Sequence, residues 1–188
     1  LALTQFIFVR DVFAQATAGK PLDNYPEKPI RMIVPNPGGG GVDIIARLVG
    51  QRLSMSLGQS IIIDNRPGAG GTIGIASLAK SPPDGYTLGM GVTATLAIAP
   101  ALYRRLPYDA MKDLDPVALI ATLPLVLAVH PSLPVRSVKD LISFAKTRPG
   151  QINYSSTGNG TPTHLAGELF KTLAGVNIVN VPYKGGPP

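Results

Sequence analysis

The sequence contains no cysteine and only two histidines, His130 and His164. The absence of cysteine excludes disulfide bonds, thiolate metal ligands and a cysteine nucleophile. Two histidines alone are a poor starting point for a zinc site, because such sites combine several histidine, cysteine or carboxylate ligands. We therefore expect neither a bound metal ion nor a cofactor.

Charged residues and long apolar runs are also scarce. Only 15% of the residues are charged, and 17 basic against 11 acidic residues give a formal charge of +6. The basic residues are scattered, whereas a nucleic-acid surface needs a cluster or stripe, so the charge favours small anions over nucleic acid. The longest uncharged stretch, residues 117–134, is interrupted by Pro124 and Pro131. We expect that the chain does not itself span a membrane.

Residues 1–24 differ in character from the rest of the chain. Residues 1–9 are mostly apolar, and Ala14-Gln15-Ala16 has the small-x-small pattern of a signal-peptidase site. Arg10 and Asp11 interrupt the apolar region, so an ordinary disordered leader is the alternative to a secretory signal. In either case we expect residues 1–24 to lie outside the fold.

The most informative stretch is the loop at residues 35–43, Pro-Asn-Pro-Gly-Gly-Gly-Gly-Val-Asp. It lies between a short apolar run, residues 30–34, and a segment with helical apolar periodicity that Gly58 is placed to end. That helix face comprises Ile44, Ile45, Leu48, Val49, Leu53 and Leu57. Glycine lets a ligand approach the main chain, and a helix amino terminus favours an anion. The hypothesis is an anion held by backbone amides; the alternative is a tight turn without a ligand.

Two further apolar runs, residues 61–63 and 86–90, flank a second glycine-rich loop at residues 64–71 and a small-residue helix at residues 72–80. This alternation predicts two right-handed βαβ units and a parallel sheet. Ligands of such sheets bind beyond the carboxyl ends of the strands, where both glycine loops would lie. The loops match neither a dinucleotide fingerprint nor a P-loop, and no Gly-x-Ser-x-Gly elbow indicates a hydrolase.

The chain changes character around residues 99–115, which look like a connector. There we place a boundary between a first lobe, residues 25–99, and a second lobe, residues 100–188. New apolar alternations begin at residues 117–121 and 125–129. Ser137 opens a predicted helix that runs to Thr147 through a capping box. Its inward residues would be Leu141, Ile142 and Ala145.

The second lobe contains another strand, glycine turn and helix. A strand at residues 152–154 runs into a loop rich in serine, threonine and glycine. Thr161-Pro162 suits the start of a helix, which we expect to end at Ala174. A further strand is predicted at residues 178–181. Hydroxyls and free amides converge there on a second candidate anion site. For His164 we favour capping or packing over ligand contact. A Ser156–His164 catalytic pair is disfavoured because nothing marks an orienting acid.

Seven motifs occur in order along residues 25–188. They are Tyr25-Pro26-x-Lys28-Pro29-Ile30-Arg31, the loop at residues 35–43, Asn65-Arg66-Pro67-Gly68-Ala69-Gly70-Gly71, Pro83-Asp84-Gly85-Tyr86-Thr87-Leu88, Pro100-Ala101-Leu102-Tyr103 with Leu106-Pro107-Tyr108-Asp109, Ser156-Thr157-Gly158-Asn159-Gly160-Thr161 with His164-Leu165-Ala166-Gly167-Glu168, and Val181-Pro182-Tyr183-Lys184-Gly185-Gly186. Together they resemble the Bug-type substrate-binding receptors of tripartite tricarboxylate transporters.

The resemblance implies an α/β fold of the two-lobed periplasmic binding protein type, a Venus flytrap of type II-like topology. It implies a periplasmic receptor, not an enzyme, that captures a small carboxylate, such as a di- or tricarboxylate, and delivers it to the membrane components of the transporter. Hinge closure would occur near residues 99–109. Carried onto this chain, the ligand-binding residues are Pro37, Gly38, Gly39, Gly40 and Gly41, then Ser156, Thr157, Gly158, Asn159 and Thr161, with Thr93 and Thr95 as further candidates.

Two departures from the family pattern limit this transfer. Asn36 stands where members often have an aromatic residue, which leaves the polarity of the cleft wall open. Members also continue well beyond residue 188, so we expect a truncated form with an incomplete second lobe and return segment, and with uncovered apolar faces that favour aggregation or dimerisation. Two other functions stay open. One is an enzyme that binds a phosphorylated or acyl substrate in its glycine loops, and the other is a ligand-sensing receptor that feeds a signalling partner.

Overall fold

The computed structural model describes residues 24–183, so the predicted leader, apart from Asn24, lies outside the described residues. Two parallel sheets organise these residues, with three strands in the first and two in the second. The elements in chain order are β1 (Ile30–Val34), α1 (Gly41–Leu57), β2 (Ile61–Asn65), α2 (Thr72–Ala79), β3 (Thr87–Gly89), α3 (Ala99–Leu102), α4 (Val138–Lys146), β4 (Asn153–Ser156), α5 (Pro162–Ala174) and β5 (Val179–Pro182).

The first sheet has the predicted parallel arrangement, with strand order β2-β1-β3. Its register pairs Ile30 with Ile61 and Arg31 with Thr87. The central strand is covered on both faces, since Ile30, Ile33 and Val34 are fully buried. This agrees with the apolar character of β1, in which Arg31 is the one charged residue and which is typical of a buried parallel strand.

Helix α1 begins directly after the glycine-rich loop and ends at Gly58, as the sequence predicts. Gly58 has φ 68° and donates its amide to Ser54 O, which closes the helix in a left-handed cap. Ile45 packs on the core of the first sheet together with the other partly buried apolar residues of the helix. Ile44 and Leu48 are 52% and 59% exposed, so their assignment to the inward face was wrong.

The chain after β3 is helical from Ala94 to Leu102, first as a π-helical turn (Ala94–Ile98) and then as α3. The sequence interpretation missed this segment and placed the lobe boundary inside it. The Tyr108 hydroxyl donates to Thr95 O at 2.7 Å and is buried with Ile75 and Ala76. Tyr108 therefore anchors the connector after α3 to the π-helical turn and to α2.

The second sheet pairs β4 with β5 in parallel, from Asn153 opposite Val179 onward. Helix α4 begins as predicted, because the Ser137 hydroxyl accepts the Asp140 amide at 3.1 Å. Its inward residues Leu141 and Ala145 are buried. Helix α5 follows β4 and ends at a left-handed glycine, as predicted, but none of its described residues is fully buried.

Residues 117–132 are exposed throughout and contain no strand. The apolar side chains there are open to solvent, with Val117 at 82%, Leu119 at 87% and Val126 at 84% exposure. The two alternations at residues 117–121 and 125–129 therefore do not pair with either sheet within residues 24–183. In that same part of the chain, no helix has both the length and the apolar content to cross a membrane.

Candidate functional site

Three loops lie at the carboxyl ends of the strands, where parallel sheets bind their ligands. We name residues 35–41 after β1 loop A, residues 66–71 after β2 loop B, and residues 157–161 after β4 loop C. We call the first sheet with α1, α2 and α3 the first unit, and the second sheet with α4 and α5 the second unit. Loop C lies close to loop B and to α3. A Cβ atom on Gly70 would lie 4.0 Å from Asn159 O, and one on Gly160 would lie 2.9 Å from Leu102 Cδ2.

Loop A is held by a buried carboxylate. Asp43, in the first turn of α1, is 2% exposed, and its Oδ2 accepts the Gly39 amide at 2.8 Å. Gly39 has φ 82°, a conformation that glycine adopts without steric cost. The Asn65 side-chain amide donates both to Asp43 Oδ1 at 2.9 Å and to Asn36 O at 3.1 Å. The buried Asn36 Oδ1 has no hydrogen-bond partner among residues 24–183.

Arg47 completes this group from the next turn of the helix. Its Nε donates to Asp43 Oδ2 at 2.9 Å, and its Nη2 donates to Asn65 Oδ1 at 3.3 Å. The hydrogen bond from Arg47, followed by those from Gly39 and Asn65, lowers the pKa of Asp43 to about 2, although burial acts in the opposite direction. Asp43 is therefore ionised at any physiological pH.

This arrangement changes the role of one predicted binding residue. Because the Gly39 amide is bonded to Asp43, it is not free to hold an anion. The amides of Gly41, Val42 and Asp43 at the start of α1 have no acceptor within the helix, whereas the Ile44 amide donates to Gly40 O at 3.0 Å. Gly38, Gly39 and Gly41 are exposed, so loop A presents an open main-chain surface next to the positive end of the helix dipole.

Loop C is held by hydroxyl groups. Thr161 Oγ1 donates to Gly158 O at 2.6 Å, so its side chain braces the turn and does not cap α5. Thr163 Oγ1 accepts the Thr157 amide at 3.0 Å and contacts both other threonine hydroxyls. Thr163 was missed in the sequence, where it reads as an ordinary first-turn residue. The exposed Asn159 accepts a hydrogen bond from Asn180 at 3.2 Å.

His164 has the capping role that the sequence favoured. Its Nδ1 accepts the Gly160 amide at 3.3 Å, which fixes the last turn of loop C. Ser156 is 4% exposed, and its hydroxyl accepts the Gly158 amide at 3.4 Å. Both side chains therefore bond to the backbone of loop C, and each supports the shape of that loop.

The two threonines after β3 have different positions. Thr93 is exposed at the start of the helical segment. Thr95 is fully buried, and its hydroxyl donates to Val92 O at 3.0 Å. Its side chain packs against the start of α2, since a Cβ atom on Gly71 would lie 2.9 Å from Thr95 Cγ2. The expectation that Thr95 faces the cleft therefore needs correction.

No metal chemistry is suggested by the described residues. Within residues 24–183, no three histidine, cysteine or acidic side chains are grouped so that they could hold a metal ion.

A cavity of about 650 Å³ lies beside α2, and one of about 290 Å³ lies beside α3. Neither of these two cavities is lined by loop A or loop C.

The sequence matches a known family over most of its length. The model described as "Tripartite tricarboxylate transporter family receptor" matches residues 45–188. BugT of Bordetella pertussis is 42% identical over 191 residues, which cover 99% of this chain and 58% of that protein. A Pseudomonas protein encoded in a tcbD-tcbE intergenic region is 41% identical over 173 residues, which cover 92% of this chain and 51% of that protein.

Solved structures agree with this match. An R. palustris protein with adipate is 45% identical, with a TM-score of 0.82 over 86% of this chain and 54% of that chain. MatC from Rhodopseudomonas palustris with bound malate is 32% identical, with a TM-score of 0.77 over 86% of this chain and 55% of that chain. The periplasmic binding protein BugD is 30% identical, with a TM-score of 0.73 over 86% of this chain and 54% of that chain. The chain thus has the mixed α/β fold of these binding proteins, and it spans about half the length of its relatives.

Proposed function

The chain belongs to the tripartite tricarboxylate transporter receptor family, and we propose that it forms the ligand-capturing part of a periplasmic receptor for a small carboxylate. The observation that carries the proposal is the repeated arrangement at loops A and C. In both units a parallel strand ends in a glycine turn that leads into a helix amino terminus. Such termini bind anions through free amides and the helix dipole.

The division of labour within the loops follows from their hydrogen bonds. We assign carboxylate binding to the exposed main chain at Pro37, Gly38, Gly40 and Gly41 in loop A. In loop C we assign it to Thr157, Gly158 and Asn159, and Thr93 borders the same edge of the first sheet. Gly39, Ser156 and Thr161 instead have a supporting role, because their polar groups bond within the loops.

Two anion-binding loops in two units favour a ligand with carboxylates at both ends. Two of the similar structures are described with adipate and with bound malate, and both of these acids have a carboxylate at each end. Backbone amides recognise the carboxylate itself, so the distance between the loops would select among dicarboxylates. Closure of the units around the ligand would use the segment near residues 99–109.

We further propose that the loaded receptor delivers its ligand to the membrane components of a tripartite transporter, and that residues 1–24 direct the protein to the periplasm. The family match supports both steps. Uptake of a labelled acid in cells with and without the receptor gene would test delivery. A receptor that only senses its ligand would leave uptake unchanged.

Binding is tested by thermal unfolding and calorimetry of the full-length protein against mono-, di- and tricarboxylates, amino acids and acyl phosphates. An acid at a hundred times its dissociation constant should stabilise the fold by about 2.7 kcal/mol. Thr157→Val should weaken binding, whereas Thr172→Val, at an exposed position on α5, is the matched control. Stabilisation by no carboxylate, or turnover of an acyl phosphate, would contradict the proposal.

A further inference from the structure

Asp43, Arg47 and Asn65 form one bonded group beneath loop A, which we name the support triad. We propose that this triad positions loop A for anion binding and that Arg47 cancels the charge which Asp43 places at the amino terminus of α1. The inference rests on the proposed function and names residues that act through loop A and do not themselves contact the ligand. It has a geometric part and an electrostatic part.

The geometric part concerns the shape of loop A. The Asp43 carboxylate holds the middle of the loop through Gly39, while Asn65 connects the same carboxylate to Asn36 at the start of the loop. A Cβ atom on Gly38 would lie 3.7 Å from Asn65 Oδ1, so the loop lies directly over the triad. Since Asn65 is the last residue of β2, the sheet itself fixes the position of the loop.

The electrostatic part concerns charge at the helix terminus. A carboxylate in the first turn of a helix is favoured by the dipole, and it reduces the positive potential that would attract a second anion. Asp43 is buried directly beneath the exposed loop, so its charge would repel an anion bound on that loop. Arg47 places a cation 2.9 Å from Asp43 Oδ2, so the pair is neutral and the dipole still favours a ligand carboxylate.

Arg47→Met is the informative change, because it removes the charge while keeping a side chain of similar length. The Arg47 side chain is 57% exposed, and the buried Asp43 carboxylate keeps its hydrogen bonds from Gly39 and Asn65, so the fold should survive the substitution with reduced stability. With adipate as the probe and the full-length protein, the dissociation constant should rise at least about tenfold. Arg52→Met is the matched control, since it removes the same charge from an exposed position on the same helix, and it should stay within about threefold of the wild type.

Rescue separates charge balance from simple loss of a contact. In Asp43→Asn/Arg47→Met both charges are gone, and the substituted side chain keeps one oxygen that can accept the Gly39 amide, so the double variant should bind adipate more tightly than Arg47→Met does. Arg47→Lys keeps the charge and should also stay within about threefold. If the double variant and Arg47→Lys bind as weakly as Arg47→Met, the charge-balance proposal is wrong. If the double variant does not fold, the comparison of Arg47→Lys with Arg47→Met decides alone.

A second measurement tests the geometric part without any ligand. Hydrogen exchange of the Gly39 amide, followed by NMR, should be slowed in the wild type and at least about tenfold faster in Asp43→Ala. A Gly39 amide that exchanges equally fast in both would overturn the positioning role. If Gly39 is protected but none of the mono-, di- and tricarboxylates binds the wild type, the proposed function fails while the positioning of loop A stands.

Discussion

Loops A and C have the same backbone plan but different chemical supports. Loop A is fixed by an ionised, buried carboxylate with an arginine and an asparagine around it. Loop C is fixed without a carboxylate or a guanidinium, by three threonine hydroxyls, a serine hydroxyl and a histidine side chain. The comparison shows that a glycine turn before a helix does not dictate how that turn is held.

The two supports also differ in how far they reach along the chain. Asn65 connects loop A to a strand 22 to 29 residues away, so loop A depends on the folded sheet. The contacts of Thr157, Thr161 and His164 join residues two to six positions apart. Thr163 and His164 lie in the first turn of α5, so loop C should move together with that helix, and we expect loop A to be the more rigid of the two loops.

The first unit is also more deeply buried than the second unit. The central strand β1 is covered on both faces, whereas Val179 in β5 is 42% exposed and α5 has no fully buried residue among those described. Since buried apolar area is the main source of stability, the first unit should contribute most of it. Three predictions sharpen this comparison.

The largest effect is expected from the core of the first unit. Ile33→Ala removes three carbons from a fully buried side chain, and it should lower the free energy of unfolding by about 3 to 4 kcal/mol. Val179→Ala in β5 is the matched change in the second unit and should cost less than about 1 kcal/mol. Urea unfolding of the full-length protein measures both. Equal losses would show that the units are equally well packed.

Much of the fold could be predicted from the sequence, because it depends on local signals. The apolar run of β1, the periodicity of α1 and the left-handed glycines Gly58 and Gly175 each act over a few residues. The parallel pairing of β1, β2 and β3 followed from the alternation of strands and helices. These features need no long-range contact to be recognised.

The remaining features depend on contacts that a local pattern does not contain. The helix at residues 94–102 overlaps the stretch that looked like a connector, and it is anchored by Tyr108, which lies 13 residues beyond Thr95. At loop A, Asp43 follows Gly39 by four residues and precedes Arg47 by four, which is a local signal that could have indicated the ion pair. The role of Asn65 could not be predicted from a local signal, because it depends on how β2 lies beside β1.

A smaller effect is expected from acid on the first unit. The pKa of Asp43 is lowered to about 2 in the fold, against about 3.9 in an unfolded chain. A lowered pKa stabilises the fold above the unfolded value, and this contribution is lost as the pH falls from about 4 to 2. Asp43→Asn should therefore cost about 2 kcal/mol at pH 7 and almost nothing at pH 2.

Chemical unfolding of both proteins at pH 7, 4 and 2 measures this difference. Asp140→Asn is the control, because Asp140 also accepts a backbone amide near a helix start but lies exposed in the second unit. A constant gap between wild type and Asp43→Asn across this pH range would mean that the Asp43 charge does not stabilise loop A.

The smallest effect is expected from alkali on the second unit. Burial, followed by the hydrogen bond and charge of Glu168, raises the pKa of Tyr154 to about 12. A raised pKa stabilises the fold below the unfolded value of about 10, and that contribution is lost as the pH rises from about 10 to 12. The Tyr154 hydroxyl donates to Glu168 Oε1 at 2.8 Å, and Glu168 is also paired with Lys171.

Tyr154→Phe should cost about 1 kcal/mol or less at pH 7, since it removes one partly exposed hydrogen bond. It should lose less stability than the wild type between pH 10 and 12, and the remaining loss comes from Tyr25 and Tyr108, whose pKa values burial also raises. Glu168→Gln keeps an acceptor without the charge. Its loss of stability between pH 10 and 12 should lie between that of Tyr154→Phe and that of the wild type. If instead Tyr154→Phe shows the same alkaline loss as the wild type, Tyr154 has no special part in the second unit, and the contrast between an acid-sensitive loop A and an alkali-sensitive second sheet fails.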